Sequence, residues 1–100
     1  MTPLRILQTP EFRQWLAKVR DPVAVAAIAM RLDRAADGNL GTVRSVGKQV
    51  SEMKVDVGQG YRVYFTRRGR IVVVLLCGGT KASQDSDIKR AQKLADQIED

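Results

Sequence analysis

Residues 53–65 read MKVDVGQGYRVYF. Met53, Val55 and Val57 alternate with Lys54 and Asp56, and after Gly58-Gln59-Gly60 the alternation resumes as Tyr61, Val63 and Phe65 against Arg62 and Tyr64. A period of two on both sides of a glycine-bearing turn predicts a β-hairpin. To place both apolar sets on one face, parity pairs Val57 with Tyr61 across the loop at 58–60, Asp56 with Arg62 and Lys54 with Tyr64. Lys54, Arg62 and Tyr64 then share the face turned away from the core, and Glu52 lies on that face too.

Downstream, Arg67-Arg68-Gly69-Arg70 reads as a second turn, and Ile71 to Cys77 is an unbroken apolar run, as expected of a central strand covered on much of both faces. Gly78-Gly79-Thr80-Lys81 leaves that strand. Ser83 caps a last helix with Asp85 and Asp87 in its first turn and Ile88, Ala91, Leu94, Ala95 and Ile98 on its packing face. Upstream, Leu4, Ile6 and Leu7 read as a first strand. Thr9-Pro10 and Asp21-Pro22 are two helix starts, each a capping side chain followed by proline at the first helical position. Phe12, Trp15, Leu16 and Val19 form the packing stripe of the first helix. Val25, Ile28, Ala29, Leu32, Ala35 and Ala36 form that of the second, which ends at Asp37-Gly38. Arg31 and Arg34 fall on its outer, solvated side. The expectation is one α+β domain over residues 1–100: an N-terminal helical hairpin packed on a small, mostly antiparallel β-sheet, with a C-terminal helix.

Composition removes several function classes. Histidine is absent and cysteine occurs once, so the usual neutral-pH base, Ser-His-Asp triads and thiolate metal clusters are out of reach; no metal and no cofactor are expected. The longest apolar run, at 71–77, is far short of the ~20 residues of a membrane-crossing helix. The first residues lack the basic, apolar and small-residue zones of an export signal, and the expected location is cytoplasmic.

The net charge of +6 is concentrated. Residues 40–81 hold Arg44, Lys48, Lys54, Arg62, Arg67, Arg68, Arg70 and Lys81 against Glu52 and Asp56, and the rest of the chain is neutral. Concentration in one segment favours a polyanionic partner, nucleic acid before others. If the helices cover one face of the sheet, the other presents Lys54, Arg62 and Tyr64, rimmed by Arg44, Lys48, Arg67, Arg68, Arg70 and Lys81. That surface suits a single-stranded RNA backbone, with Tyr64 stacking on a base. The opposing reading is a sheet face on which Asp56 and Arg62, or Glu52 and Lys54, merely neutralise one another.

Three stretches together carry a resemblance: FRQWLAKVRDPVAVAAIAMRLDRAADGNLG at 12–41, GYRVYF at 60–65 and VVVLLCGGTKASQDSDI at 72–88. They resemble the RelE/ParE toxin superfamily, in particular its HigB-like addiction-module-killer branch, from about residue 4 to 98. The resemblance implies a RelE-like fold and a bacterial type II toxin, an endoribonuclease that enters the ribosomal A site and cuts mRNA. It also implies a cognate helix-turn-helix antitoxin, through which alone the complex would meet operator DNA. By the same resemblance Arg62 contacts the scissile phosphate, Lys54 is the base or charge stabiliser, and Lys81 is a further basic group after the strand. Glu52 stands where RelE-like enzymes have a second lysine, and no tyrosine lies near Asp87-Ile88, where some members use one.

The chemistry does not need histidine. RNA carries its own nucleophile, the 2′-hydroxyl, so a protein need only align it with phosphorus and stabilise the developing charge. On this reading Arg62 and Lys81 stabilise charge, Lys54 assists proton removal with Glu52 as rival base, and Tyr64 orients a base or ribose. Two alternatives stand beside it: a ParE-like inhibitor of DNA gyrase with no chemistry of its own, and an RNA-binding module without catalysis.

Overall fold

The computed structural model describes residues 2–98, and both expected helix starts are in it. Thr9 Oγ1 accepts from the Phe12 amide at 3.1 Å to open α1 (Pro10–Lys18), and Asp21 Oδ1 accepts from the Val23 amide at 2.9 Å to open α2 (Pro22–Ala36). Pro10 and Pro22 take the first helical positions, where a missing N–H costs nothing. Gly38 ends α2 at φ 97°, its amide donating to Ala35 O, a left-handed conformation that glycine adopts without Cβ strain.

Five strands form one sheet in the order β1-β5-β4-β3-β2: β1 (Arg5–Gln8), β2 (Val43–Gly47), β3 (Val50–Val55), β4 (Tyr61–Arg68) and β5 (Val72–Thr80). β1 runs parallel to β5 and the other pairings are antiparallel. Together with α3 (Gln84–Asp96), entered through a 3₁₀ turn at Lys81–Ser83, this is the expected α+β architecture with a mostly antiparallel sheet and a C-terminal helix. Among the described residues, no helix is long and apolar enough to cross a membrane.

Two sequence expectations are corrected, and a strand pair on which the sequence reading made no statement is added. The 53–65 hairpin keeps its parity but is slipped by two: Val55, not Val57, stands opposite Tyr61, so Lys54 faces Arg62 and Glu52 faces Tyr64. The loop is longer because Val57 folds back into the turn, its amide on Val55 O and its carbonyl taking the Gly60 amide. The segment from Val43 is the added pair of strands, joined at Lys48-Gln49, whose φ values of 52° and 66° are those of a tight hairpin turn, with Gly47 at φ 90° leading into it. Second, Gly78 and Gly79 stay inside β5. A Cβ on Gly78 would strike the Trp15 ring and one on Gly79 the Asp87 carboxylate, so the two glycines seat a side chain of α1 and one of α3 on opposite faces.

The core therefore has two halves. On one face Phe12, Ile28, Met53, Val63, Phe65, Val73 and Leu75 pack with Trp15 and Leu16, which is the predicted role of the α1 stripe. On the other, α3 packs Ala91, Ala95 and Ile88 onto Val50, Tyr64, Leu76 and Cys77. A bulge helps: Tyr64 pairs with Cys77 but Phe65 with Leu75, so Leu76 is the extra residue, and it joins Cys77 under α3. The face expected to be open is thus covered over much of its area by the C-terminal helix.

Candidate functional site

The second face turns polar where α3 begins. Across the strands, Arg44, Glu52, Tyr64 and Cys77 form one row and Lys54, Arg62 and Gly79 the next. Glu52 and Arg62 are buried, with side chains 6% and 7% exposed. Their contact is an ion pair of 3.6 Å between Arg62 Nε and Glu52 Oε1, too long for a hydrogen bond. The other carboxylate oxygen, Oε2, accepts from Arg44 Nη2 at 3.2 Å and Gln84 Nε2 at 3.0 Å. Arg62 keeps its Nε and Nη1 buried without an acceptor among the described residues. A cleft of about 380 Å³ is lined by Thr42, Arg44, Glu52, Lys54, Arg62 and Gln84. Two cations, Arg44 and Arg62, thus flank one buried carboxylate, Lys54 lines the same cleft, and Arg62 has donors without an acceptor among the described residues. Unmade hydrogen bonds of a buried charged group are costly, and an oxyanion is the partner whose shape matches a guanidinium fork.

Lys54 lies at the mouth of this cleft, half exposed, with Asp56 Oδ1 at 3.5 Å from its ammonium. Its main-chain carbonyl accepts from Arg31 Nη1 at 2.7 Å, and Arg31 Nη2 reaches Leu40 O at 3.2 Å. Arg31 is therefore not the solvated residue expected from its helix position; it ties α2 to β3 beneath Lys54. Glu52, expected as rival base, has Oε2 hydrogen-bonded to Arg44 and Gln84 and Oε1 turned toward Arg62 at 3.6 Å, and is the counter-charge of the cleft.

Tyr64 contradicts its expected role. Its ring is fully buried under α3, so no base can stack on it, and its hydroxyl has no hydrogen-bond partner among the described residues. Burial, then the charges of Glu52 and Asp87, push its phenol far above the usual tyrosine range. Cys77 is core, as expected, its thiol pushed up to about 12 by burial.

The remaining basic residues do not join the cleft. Lys81 is exposed and packs along Gly60, its amide on the Gly60 carbonyl. Arg67, Arg68, Arg70 and Lys48 belong to the far end of the sheet, about 20 Å along β4 from Arg62. There Arg68 Nη1 donates to Gln49 Oε1 and Nη2 to Ala95 O, while Arg67 Nη2 donates to Arg70 O. The one expected basic rim is two separate basic zones, joined by the interior of the sheet. A larger cleft of about 510 Å³ opens near the α1–α2 link, lined by Trp15, Lys18, Arg20 and Tyr61 among others, and contains none of the expected site residues.

Gln84 was invisible to sequence reading. As the residue after a predicted cap it looked like ordinary helix surface; its role appears only once α3 is known to lie over Glu52.

No known family model matches the chain. It is 42% identical over 95 residues to an uncharacterized protein of Haemophilus influenzae, a match covering 95% of this chain and 96% of that protein, and the chain belongs to the same family as that protein.

Proposed function

We propose that the chain is the toxin of a type II toxin–antitoxin system, of the HigB-like branch of the RelE/ParE superfamily, and that it arrests translation by cutting mRNA in the ribosomal A site. The observation that carries this reading is the buried Arg62 guanidinium with two unspent donors in a cleft shared with Lys54 and Arg44. A phosphodiester placed in that cleft lies among the Arg62, Arg44 and Lys54 side chains that line it. The substrate's 2′-oxygen attacks phosphorus, the bond to the 5′-oxygen breaks, and the products are a 2′,3′-cyclic phosphate and a 5′-hydroxyl. Arg62 stabilises the charge on the phosphoryl oxygens, and Lys54, facing the same cleft from solvent, takes part in removing the 2′-proton. On this reading the nucleophile is already positioned in the substrate, Arg62 and Lys54 carry the charge in place of a metal ion, and the departing 5′-oxygen takes its proton from water. The partners are mRNA with the ribosome and a cognate helix-turn-helix antitoxin; the setting is the cytoplasm.

One observation favours the second reading, a ParE-like gyrase inhibitor: Glu52 sits at the centre of the cleft and already neutralises part of it. Induction of the chain in growing cells, followed by primer extension on mRNA, separates the two. New 5′ ends within coding sequence that disappear with Arg62→Ala are expected. Growth arrest with intact mRNA and altered plasmid supercoiling would overturn the nuclease in favour of the gyrase inhibitor.

A further inference from the structure

Arg62 and Glu52 are buried side by side, yet they do not form the forked pair that a guanidinium and a carboxylate normally make. The reason is visible on the other side of the carboxylate. Arg44 and Gln84 both donate to Oε2, and this anchors the group so that only Oε1 faces Arg62, at 3.6 Å. Arg44 is a solvent-exposed side chain on the edge strand β2, whereas Gln84 is partly buried at the start of α3.

The chain fixes that start firmly. The Thr80 amide donates to Ser83 Oγ at 3.2 Å, Ser83 is hydrogen-bonded to the Asp87 carboxylate, and Asp87 lies over Gly79 of β5. The first residue of α3 is thereby held against the sheet, with its amide group over Glu52. Without the Gln84 amide, Glu52 Oε2 would depend on an exposed arginine alone, while Arg62 Nε and Nη1 would still lie buried without an acceptor among the described residues. The carboxylate would turn toward Arg62, close the 3.6 Å gap to Nε and take up the guanidinium from within.

We infer that Gln84 is a positioning residue: by holding Glu52 through Oε2 it keeps the Arg62 guanidinium open to an incoming phosphodiester. This rests on reading the cleft as a phosphodiester site, but the contact itself can be measured separately. The probe is a short 2′-O-methyl oligoribonucleotide, which carries the backbone phosphates and cannot supply the nucleophile.

Gln84→Leu is expected to weaken binding of this probe by about tenfold, because the phosphate must displace a charge-assisted pair. Adding Glu52→Gln to that variant is expected to bring affinity back to the wild-type range or above it, since no carboxylate is left to compete. Gln84→Asn, too short to reach Oε2 but polar, serves as a second variant and is expected to behave like Gln84→Leu. In parallel, the Nε–Hε NMR resonance of Arg62 is expected to move downfield in Gln84→Leu and return in the double variant. Unchanged binding, or a loss that Glu52→Gln does not restore, would overturn the inference, as would an Arg62 resonance indifferent to Gln84. If the wild-type protein does not bind the probe, the phosphodiester reading fails, and the Arg62 resonance alone decides whether Gln84 holds Glu52 away.

Discussion

The two faces of the sheet share five strands and differ in what lies over them. The face under α1 and α2 carries a continuous apolar cluster, from Phe12 and Ile28 across Met53, Val63 and Phe65 to Leu75. The face under α3 is apolar only beneath the body of the helix, where Ala91 and Ala95 meet Val50, Tyr64 and Leu76. Beneath its first residues the sheet carries Glu52 and Arg62 instead, both buried. The difference teaches where a small domain can bury charge. The apolar stripe of a covering helix ends one turn before the helix does, and the polar residues around that end can serve buried polar groups on the sheet.

The neighbouring glycines of β5 probe the two faces with one change each. Gly78→Ala forces a Cβ into the rigid Trp15 ring on the apolar face and is expected to cost about 3 kcal/mol of stability. Gly79→Ala meets the end of the Asp87 side chain, which can rotate away from Ser83, and is expected to cost about 1 kcal/mol. Urea denaturation midpoints of the two variants give the comparison; equal losses would mean that the polar face is as tightly set as the apolar one.

Alkali should act on the α3 face. Burial raises the Cys77 thiol from 9.0 to about 12, and Tyr64 is raised as well. Between those limits the unfolded chain loses the thiol proton and the folded chain keeps it, so ∂ΔG/∂pH is negative. The stabilisation is complete below pH 9 and disappears as pH rises toward about 12. Urea midpoints are expected to fall over that range, and less steeply in Cys77→Ala; an identical slope in that variant would remove the thiol from the account.

The smallest effect is expected from Tyr64→Phe. The hydroxyl is buried without a partner among the described residues, so its removal should leave stability unchanged or raise it by up to about 1 kcal/mol. mRNA cleavage should be unaffected. A large loss of cleavage in the folded variant would show that the Tyr64 hydroxyl takes part in substrate recognition after all.

How much of this was legible in the sequence depended on whether local chemistry or tertiary covering decided the outcome. The helix starts at Thr9-Pro10 and Asp21-Pro22 were readable because each cap is a contact between near neighbours. The parity of the 53–65 hairpin was readable too, but not its two-residue slip, since Val55 and Val57 satisfy the same pattern equally well. The turn at Lys48-Gln49 had only Gly47 before it as a signal, with two residues at its centre that seldom take positive φ. For the site, Lys54 and Arg62 did come together, while Tyr64, Lys81 and the Arg67–Arg70 group did not join them. The error came from reading Glu52, Arg62 and Tyr64 as a solvent face because they are polar. A signal against that reading was present: the apolar strand at 71–77 and the stripe from Ile88 to Ile98 each needed a partner, and together they required a helix over that face.

The central claim is that the Arg62 fork receives a phosphate. Its most direct test is the rate at which purified protein cuts mRNA on programmed ribosomes, compared with Arg62→Lys, which keeps a buried cation beside Glu52 but cannot present two donors in a plane. Cleavage is expected to fall by about 10²–10³-fold, the usual effect of losing a charge-stabilising donor, with an unfolding midpoint close to that of the wild type. A folded Arg62→Lys protein that cuts at the wild-type rate would contradict the account.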